Sequence, residues 1–346
     1  MKIIKLLCII LLLFTGVQSS GPALPQDMHT WAMASIDYIF QNKFRQAEEE
    51  ARKIIRRYSD HPAGYFFMAA AIDSWMAHFQ SDSREEDFYR YCDLAIEKAE
   101  NMLSADRNNE VARFFKGGAD GFKGTYEARY ERWITAFRYG WRGVSELLEL
   151  EKAGSDLIDI QFGIGAYEYW RSALMRLLWW MPGVQDKREE GIGKLIRVRE
   201  NGFYTKTAAS VTLIEVFVNE KRYAEALSIS DEMLQKYPQS MAFLFGRAHS
   251  LKELKRYDEA VNAYKKILSI VTNQTPNNGY NETICRLALA QIYMEQENFS
   301  AAIEQCNLIS NISFSNAIRR RLSDELSLVN NIQRQATRQL RAVASP

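Results

Sequence analysis

The four histidines are the first residues to consider for catalysis or metal binding: His29, His61, His78 and His249. They form no His-Glu-x-x-His motif and no cluster at metal-ligand spacing. The sequence also lacks a Gly-x-Ser-x-Gly nucleophile turn and a phosphate-binding loop that ends in Gly-Lys-Ser/Thr. We therefore predict no catalytic residue, no metal site and no cofactor, and an enzyme is the least favoured class.

Carboxylate runs and glycine pairs could also carry chemistry. Glu48-Glu49-Glu50 and Glu85-Glu86-Asp87 stand among polar residues, which predicts solvated helix faces rather than a cleft with one raised carboxyl pKa. Gly163-Ile164-Gly165 and Gly191-Ile192-Gly193 are half of a dinucleotide-binding fingerprint. No strand pattern precedes either, so they predict close packing of helices.

Tryptophan and arginine are concentrated in the middle of the chain, and both are enriched at binding hot spots. We hypothesise that Tyr126, Arg129, Tyr167, Trp170 and Arg171 face a groove and hold a partner. The alternative is that the aromatic rings fill the core of long helices, with arginine stems covering them. Five of the seven tryptophans lie in this region, namely Trp133, Trp141, Trp170, Trp179 and Trp180.

A repeated pattern indicates which elements position these residues. An aromatic residue followed three positions later by alanine recurs at Tyr223, Tyr257 and Phe299. The first two alanines, Ala226 and Ala260, are 34 residues apart, and a loop around Pro276 lengthens the next interval to 42. Each aromatic residue is predicted to begin the second helix of a pair, and the alanine to let the two helices approach closely.

These patterns resemble the tetratricopeptide repeat, over four units at about residues 28–61, 207–240, 241–274 and 283–316. The resemblance implies an all-α, right-handed superhelical solenoid of helix pairs, with a concave groove lined by the first helices. The groove positions are Val211, Glu215, Phe245, His249, Leu287 and Gln291. The basic clamp that holds carboxylate tails in this family is absent, so a helical or extended apolar segment suits the groove better.

Residues 111–270 also resemble a eukaryotic branch of these repeat proteins, which includes a mitochondrial outer-membrane protein of inclusion-body clearance. The likeness rests on glycine, proline and aromatic positions, and it implies a non-enzymatic adaptor. The positions include Gly117-Gly118, Gly163, Pro182, Gly191, Gly202, Tyr237-Pro238 and Phe245-Gly246-Arg247.

The amino terminus departs from that branch, because it reads as a secretory signal peptide. Lys2 and Lys5 precede an apolar run over residues 6–14, and small residues follow up to Ser20. The run is too short to span a bilayer. We expect export, to a bacterial periplasm first, with secretion or peripheral membrane association as alternatives. The remaining cysteines, Cys92, Cys285 and Cys306, are expected to be buried thiols.

Five regions follow from these patterns. They are a signal peptide (1–20), N-terminal helix pairs (21–110), a Trp-rich middle of longer, irregular pairs (111–206), regular repeat units (207–314) and a C-terminal capping helix with its tail (315–346). About seven helix pairs are expected in all.

The predicted function is a non-enzymatic scaffold that binds a protein or peptide in its groove, and envelope assembly is the expected role. Lys plus Arg total 44 and Asp plus Glu 43, so the balanced charge excludes bulk attraction to nucleic acid. The alternative is a binder of a small molecule, lipid or glycan, which a pocket among Trp133, Trp170 and Trp180 would favour. The partner's identity and the oligomeric state stay open.

Overall fold

A computed structural model describes residues 24–175 and 185–344, and within these ranges every regular element is an α-helix. The first fourteen helices follow one another as seven packed pairs. These are α1 Gln26–Phe40 with α2 Phe44–Arg57, α3 Pro62–Phe79 with α4 Glu85–Ala105, α5 Glu110–Arg129 with α6 Trp133–Lys152, α7 Ile160–Met175 with α8 Arg188–Asn201, α9 Lys206–Asn219 with α10 Tyr223–Lys236, α11 Met241–Glu253 with α12 Tyr257–Val271, and α13 Tyr280–Glu295 with α14 Phe299–Ser310. The prediction of an all-α solenoid of helix pairs is confirmed.

Small residues set the distance between the helices of a pair. In three regular pairs the position is occupied by fully buried alanines, namely Ala226, Ala260 and Ala302. In the middle it is glycine: a Cβ on Gly143 would lie 2.6 Å from the carbonyl oxygen of Gly117, which faces it from α5. The two backbones are therefore in direct contact along this longer pair.

The turn between the two helices of a pair has the same geometry in six pairs; the turn of the fourth pair lies outside the described residues. One residue adopts a left-handed conformation, with φ between 52° and 59°. The amide of the following residue then donates to a carbonyl in the last turn of the first helix, as from Arg222 to Phe217 at 2.7 Å. These hydrogen bonds satisfy carbonyls that the helix end would otherwise leave free. The left-handed residues are Asn42, Gln80, Glu131, Lys221, Lys255 and Glu297.

Successive turns of the superhelix touch each other edge to edge. The first pair meets the loop between the fifth and sixth pairs, where the Asn42 side-chain amide donates to the Gln239 carbonyl at 2.7 Å. Nearby, the Tyr237 hydroxyl donates to the Asp37 carboxylate. The ring of Phe40 packs 5.7 Å from the ring of Tyr237. The groove of the superhelix is thus bordered by a second turn rather than left open at this edge.

The second pair meets the loop between the sixth and seventh pairs in the same way. The Asn278 side-chain amide donates to the carbonyls of Phe79 and Gln80, both at 3.0 Å. His78 Nε2 lies 3.0 Å from Gln274 Oε1. Most of these contacts are single hydrogen bonds, so the stacked edges are polar.

Arg321 forms a further contact between successive turns of the superhelix. Its guanidinium donates to the backbone oxygen of Gln80 at 3.0 Å and to the Oε1 of the same residue at 2.6 Å. It also lies over the rings of Tyr130 and Tyr280, 5.1 Å and 4.7 Å from their centroids. Three distant parts of the chain are therefore joined at one guanidinium.

The C-terminal helix is divided, in contrast to the single helix expected over residues 315–342. Leu322 separates α15 Asn316–Arg321 from α16 Ser323–Ala344. The break lets α15 carry Arg321 toward the second pair, while α16 covers the last pair with Val329, Ile332 and Ala336. Outside the N-terminal segment, the three cysteines are buried and unpaired, as expected. Among the described helices, none has the length and hydropathy to cross a membrane.

Candidate binding surfaces

The five residues predicted to hold a partner lie in three different environments. Tyr126 is fully buried, and its ring packs 5.0 Å from Phe88 and 4.9 Å from Tyr130. The expectation that it faces a partner is wrong, because the face of α5 that carries it packs against α4. Burial in this cluster raises the pKa of the Tyr126 hydroxyl. Tyr126 therefore belongs to the core.

Arg129, the last residue of α5, reaches across to α3. It donates two hydrogen bonds to the carboxylate of Asp73 on α3, at 2.9 Å and 3.1 Å. About a quarter or less of either side chain is exposed. A two-point arginine–carboxylate pair fixes the planes of both groups, so the second and third helix pairs are locked together on this wall.

Glu215, on α9, is exposed and within electrostatic range of Arg129, and it has no hydrogen-bonding or ion-pairing partner among the described residues. Solvent reaches its side chain, yet the surrounding protein desolvates the carboxyl and raises its pKa to about 7. The charge of Arg129 opposes this rise. Because Asp73 already occupies Arg129, the Glu215 carboxylate is left available to a cation from outside.

The remaining groove positions are mixed. Val211, Phe245, His249 and Gln291 are half-buried and reach the surface, but Leu287 is buried in the last core cluster. The expectation that Leu287 lines the groove is wrong, since α14 and α16 cover it. Burial lowers the pKa of His249, which favours its neutral form. Apolar Val211 and Phe245 thus stand on α9 and α11 beside the helix face that carries Glu215.

We call the set of Asp73, Arg129, Val211, Glu215 and Phe245 the inner wall site. Its carboxylates outnumber its guanidinium by one, and its apolar members come from adjacent first helices. The arrangement can accept a cationic group and an apolar side chain at once. It has no nucleophile and no paired acid and base.

Tyr167 and Arg171 lie elsewhere, on the side of α7 that faces α6. The Tyr167 ring is 6.3 Å from Phe137 and 6.2 Å from Trp141, both on α6. The positive charge of Arg171 is close enough to lower the pKa of the Tyr167 hydroxyl, while burial raises it more strongly. These two residues therefore belong to an aromatic and basic surface that is separate from the inner wall site.

Trp170 takes a third position. It is half-buried, lies 5.0 Å from the ring of Tyr169, and packs against a core cluster formed by α7, α8, α9 and their neighbours. Trp133 is instead exposed on α6. Trp133, Trp170 and Trp180 were the residues expected to line a pocket. The first two of them lie in different surroundings. Trp180, like Trp179 and Pro182, lies outside the described residues.

Sequence reasoning missed three residues that matter. Asp73 stands in an apolar helix without any pattern around it, and its partner Arg129 is 56 residues later. Ile134 and Phe137 extend the exposed apolar surface of α6. The sequence-based prediction for α6 rested on its tryptophans and did not include them. The spacing of Trp133, Phe137 and Trp141 by four residues was the signal that could have marked one helix face.

One carboxylate run differs from expectation. Glu48 is buried rather than solvated, and it accepts hydrogen bonds from Arg52 at 2.9 Å and Arg84 at 2.6 Å. The charged pairs explain why burial is tolerated. Over residues 24–175 and 185–344, no group of three or more His, Cys, Asp or Glu residues could hold a metal ion.

Glu215→Gln is expected to alter the pH dependence of stability. A glutamate in the unfolded chain titrates near 4.5, whereas Glu215 in the folded chain titrates at about 7. Between these values the folded chain holds a proton that the unfolded chain has lost, so stability falls as the pH rises through this window. The glutamine variant should remove that fall. The expected gain is at most about 1 kcal/mol because solvent reaches the carboxyl.

Thermal unfolding at a series of pH values measures this effect. The Tm of Glu215→Gln should exceed that of the native chain above about pH 7, and the two should converge below about pH 4.5. Glu304→Gln is the control, because Glu304 is likewise exposed but lies on α14, in the last pair. An equal pH dependence in all three proteins would contradict the desolvation of the Glu215 carboxyl by its surroundings.

Comparisons with known proteins bear on the fold. Residues 242–270 match the family model described as Tetratricopeptide repeat. No curated protein matches the sequence. A tetratricopeptide repeat protein of known structure from Parabacteroides merdae is similar at 13% identity and a TM-score of 0.39, over 88% of this chain and 99% of that one. The TPR domain of P58(IPK) is similar at 11% identity and 0.32, over 92% and 100%.

The narrower likeness of residues 111–270 to the inclusion-body-clearance branch stays a prediction. The repeat itself is established by two findings: the family model matches the sixth pair, and the same helix pair and turn recur along the described residues. Residues 242–270 are therefore a tetratricopeptide repeat, and the other described pairs share its helix–turn–helix form.

Proposed function

We propose that this protein is a non-enzymatic scaffold that binds a segment of another protein at its inner wall site. The observation that carries the proposal is the carboxylate of Glu215, which has no partner among the described residues and lies within electrostatic range of an arginine already occupied by Asp73. A partner of matching chemistry carries a lysine or arginine within an apolar stretch. The basic residue would pair with Glu215, and the apolar residues would pack on Val211 and Phe245.

The proposal extends to location. The basic and apolar amino terminus supports export, with the scaffold acting in a bacterial envelope after cleavage of the leader. Repeat scaffolds of this kind generally mediate contacts between proteins, which agrees with a role in assembling other envelope components. Repeat architecture by itself does not select a partner, so the test is directed at the chemistry of Glu215.

A selection from a random peptide library displayed on phage tests the proposal, with the full-length chain as the immobilised target. Enriched peptides are expected to share a basic residue flanked by apolar residues. Replacing that basic residue by glutamine should weaken binding about tenfold or more, since a charge-assisted hydrogen bond contributes about 1.5–3 kcal/mol. Fluorescence anisotropy of the labelled peptides provides the affinities.

Glu215→Gln should reproduce the loss on the protein side, and Glu304→Gln should leave the affinity unchanged. Affinity should also rise between about pH 6 and pH 8, because the Glu215 carboxyl loses its proton in this range. Enriched peptides without a shared basic residue, or full affinity in the Glu215→Gln variant, would reject the inner wall site as the binding site.

A further inference from the structure

The first half of α6 presents a concentrated apolar surface to solvent. Eight large apolar side chains are exposed in the described part of the chain, and four of them lie on this one helix. We call these four residues the α6 surface. They are Trp133, Ile134, Phe137 and Trp141, with exposed fractions of 48%, 90%, 38% and 56%. Of the other four, Phe203 and Leu254 lie in connections between helices, and Leu328 and Leu340 are twelve residues apart on α16, so among the described residues α6 carries a patch rather than isolated residues.

The second half of α6 anchors the helix. It buries Val144, Leu147 and Leu150 in the core. Gly143 also lies in backbone contact with Gly117 of α5, which fixes the rotation of α6 about its axis. The exposed aromatic residues are therefore held outward by the packing of the pair.

Basic groups surround this patch. Arg138 follows Phe137 on α6, and Arg171 lies beside Tyr167 on α7; neither forms an ion pair with a described residue. Arg142 is also half-exposed, although it pairs with Asp120 at 3.3 Å. The two uncompensated guanidinium groups give the patch a positive potential, and anionic phosphate groups are its complement.

The two tryptophans of the α6 surface also need hydrogen-bond acceptors for their indole N–H groups. An indole N–H is a strong donor, yet those of Trp133 and Trp141 have no acceptor among residues 24–175 and 185–344. A ring that needs an apolar contact for its body and a polar acceptor for its N–H suits the boundary between acyl chains and headgroups. Ile134, nine-tenths exposed, would enter the apolar side of that boundary.

The composition of the surface favours a bilayer over a folded protein. Hot-spot residues of protein interfaces usually fit into a complementary pocket. Two depressions in the described residues lie elsewhere, and their lining includes Arg319 and Arg320 in one and Arg56 and Arg57 in the other. The α6 surface is aromatic and fringed by arginine, as in interfacial helices.

We propose that the α6 surface docks the scaffold onto an anionic phospholipid bilayer, with Trp133, Ile134 and Trp141 in the interface and Arg138 and Arg171 on lipid phosphates. This contact is peripheral and independent of the inner wall site. The scaffold would thereby present its bound partner at a membrane surface.

Co-sedimentation with vesicles tests the proposal. The full-length chain is mixed with vesicles of phosphatidylcholine containing about a third phosphatidylglycerol, and with vesicles of phosphatidylcholine alone. The triple variant Trp133→Ser/Ile134→Ser/Trp141→Ser should lose at least about tenfold in partition coefficient, since each buried apolar side chain contributes about 1.5–3 kcal/mol. Arg138→Gln/Arg171→Gln should weaken binding to the anionic vesicles only.

A matched triple variant controls for the loss of exposed apolar area. Leu254→Ser/Leu328→Ser/Leu340→Ser changes three exposed leucines, one just after α11 and two on α16, and should bind vesicles like the native chain. All the proteins carry the same amino terminus, so differences between them report the substituted surface. Circular dichroism verifies that each variant folds. Glu215→Gln should bind vesicles normally, which separates this proposal from partner binding at the inner wall.

Three outcomes would overturn the proposal. The first is no binding of the native chain to anionic vesicles, and the second is an equal loss in both triple variants. The third is unchanged vesicle binding of the α6 triple variant combined with loss of a protein partner, which would assign the α6 surface to a protein interface.

Discussion

Replacing Asp159 by alanine is expected to lower the free energy of unfolding by about 3 kcal/mol. The Asp159 side chain is 1% exposed and joins the start of α7 to the turn between α8 and α9. Its carboxylate accepts hydrogen bonds from the Thr205 amide at 2.7 Å, the Thr205 hydroxyl at 2.6 Å and the Phe203 amide at 3.0 Å. Alanine would leave two amide donors without an acceptor at a buried site.

Urea unfolding followed by far-ultraviolet circular dichroism measures the loss. Asp156→Ala is the matched control, because Asp156 lies in the same turn but is exposed. It should change the free energy of unfolding by less than about 0.5 kcal/mol. Equal destabilisation by the two variants would mean that the loop, and not the hydrogen-bonded carboxylate, connects the fourth and fifth pairs.

Much of the fold could be predicted because the repeat is a local pattern. The interval from Ala226 to Ala260 places one helix pair, and the small residue explains why the two helices touch. The turns could not be predicted, since six non-glycine residues adopt left-handed conformations that glycine usually occupies. Their hydrogen bonds to the preceding helix outweigh the conformational cost, and such bonds leave no pattern in composition.

The contacts between superhelical turns were beyond sequence reasoning for a different reason. Asn42 and Gln239, or Gln80 and Arg321, are far apart in the chain and are joined by one or two hydrogen bonds. Each is an ordinary surface residue type. Only the curvature of the solenoid brings them together, and that curvature accumulates from small rotations at every pair.

The candidate sites were predicted in part. Glu215 and Phe245 follow from the repeat register, because the register decides which side of a first helix faces the groove. The prediction for Tyr126 failed because its ring packs against Phe88 and Tyr89 of α4, although Arg129 in the same last turn of α5 reaches Asp73 of α3. Residue type alone could not separate Tyr126 from Tyr167, which lies at the edge of an exposed surface.

The stacked turns also relate the two proposed sites to each other. The inner wall site takes residues from the second, third, fifth and sixth pairs, whereas the α6 surface belongs to the third pair alone. α5 carries Arg129 at its end, and α6 carries the exposed aromatic residues on its far side. A segment bound inside would therefore lie one helix layer from a membrane contacted outside.

That single layer depends on the glycine contact between α5 and α6, and Gly143→Ala is expected to lower the free energy of unfolding by about 2–3 kcal/mol. A Cβ on Gly143 would lie 2.6 Å from the carbonyl oxygen of Gly117 and 2.8 Å from the amide nitrogen of Gly121. Both neighbours are backbone atoms, so relief requires the helices to separate. Separation would in turn loosen the layer that holds the α6 surface outward.

Gly121→Ala on the facing helix provides the comparison for this change. A Cβ at Gly121 has no heavy atom within 4 Å, and the residue lies inside α5. Alanine there should stabilise the chain by about 0.5–1 kcal/mol, because it restricts the unfolded chain without a clash. Relative to the native chain, the urea midpoint should fall in Gly143→Ala and rise in Gly121→Ala. Two midpoints shifted upward would show that α5 and α6 are not in backbone contact, and the outward orientation of the α6 surface would then lose its structural basis.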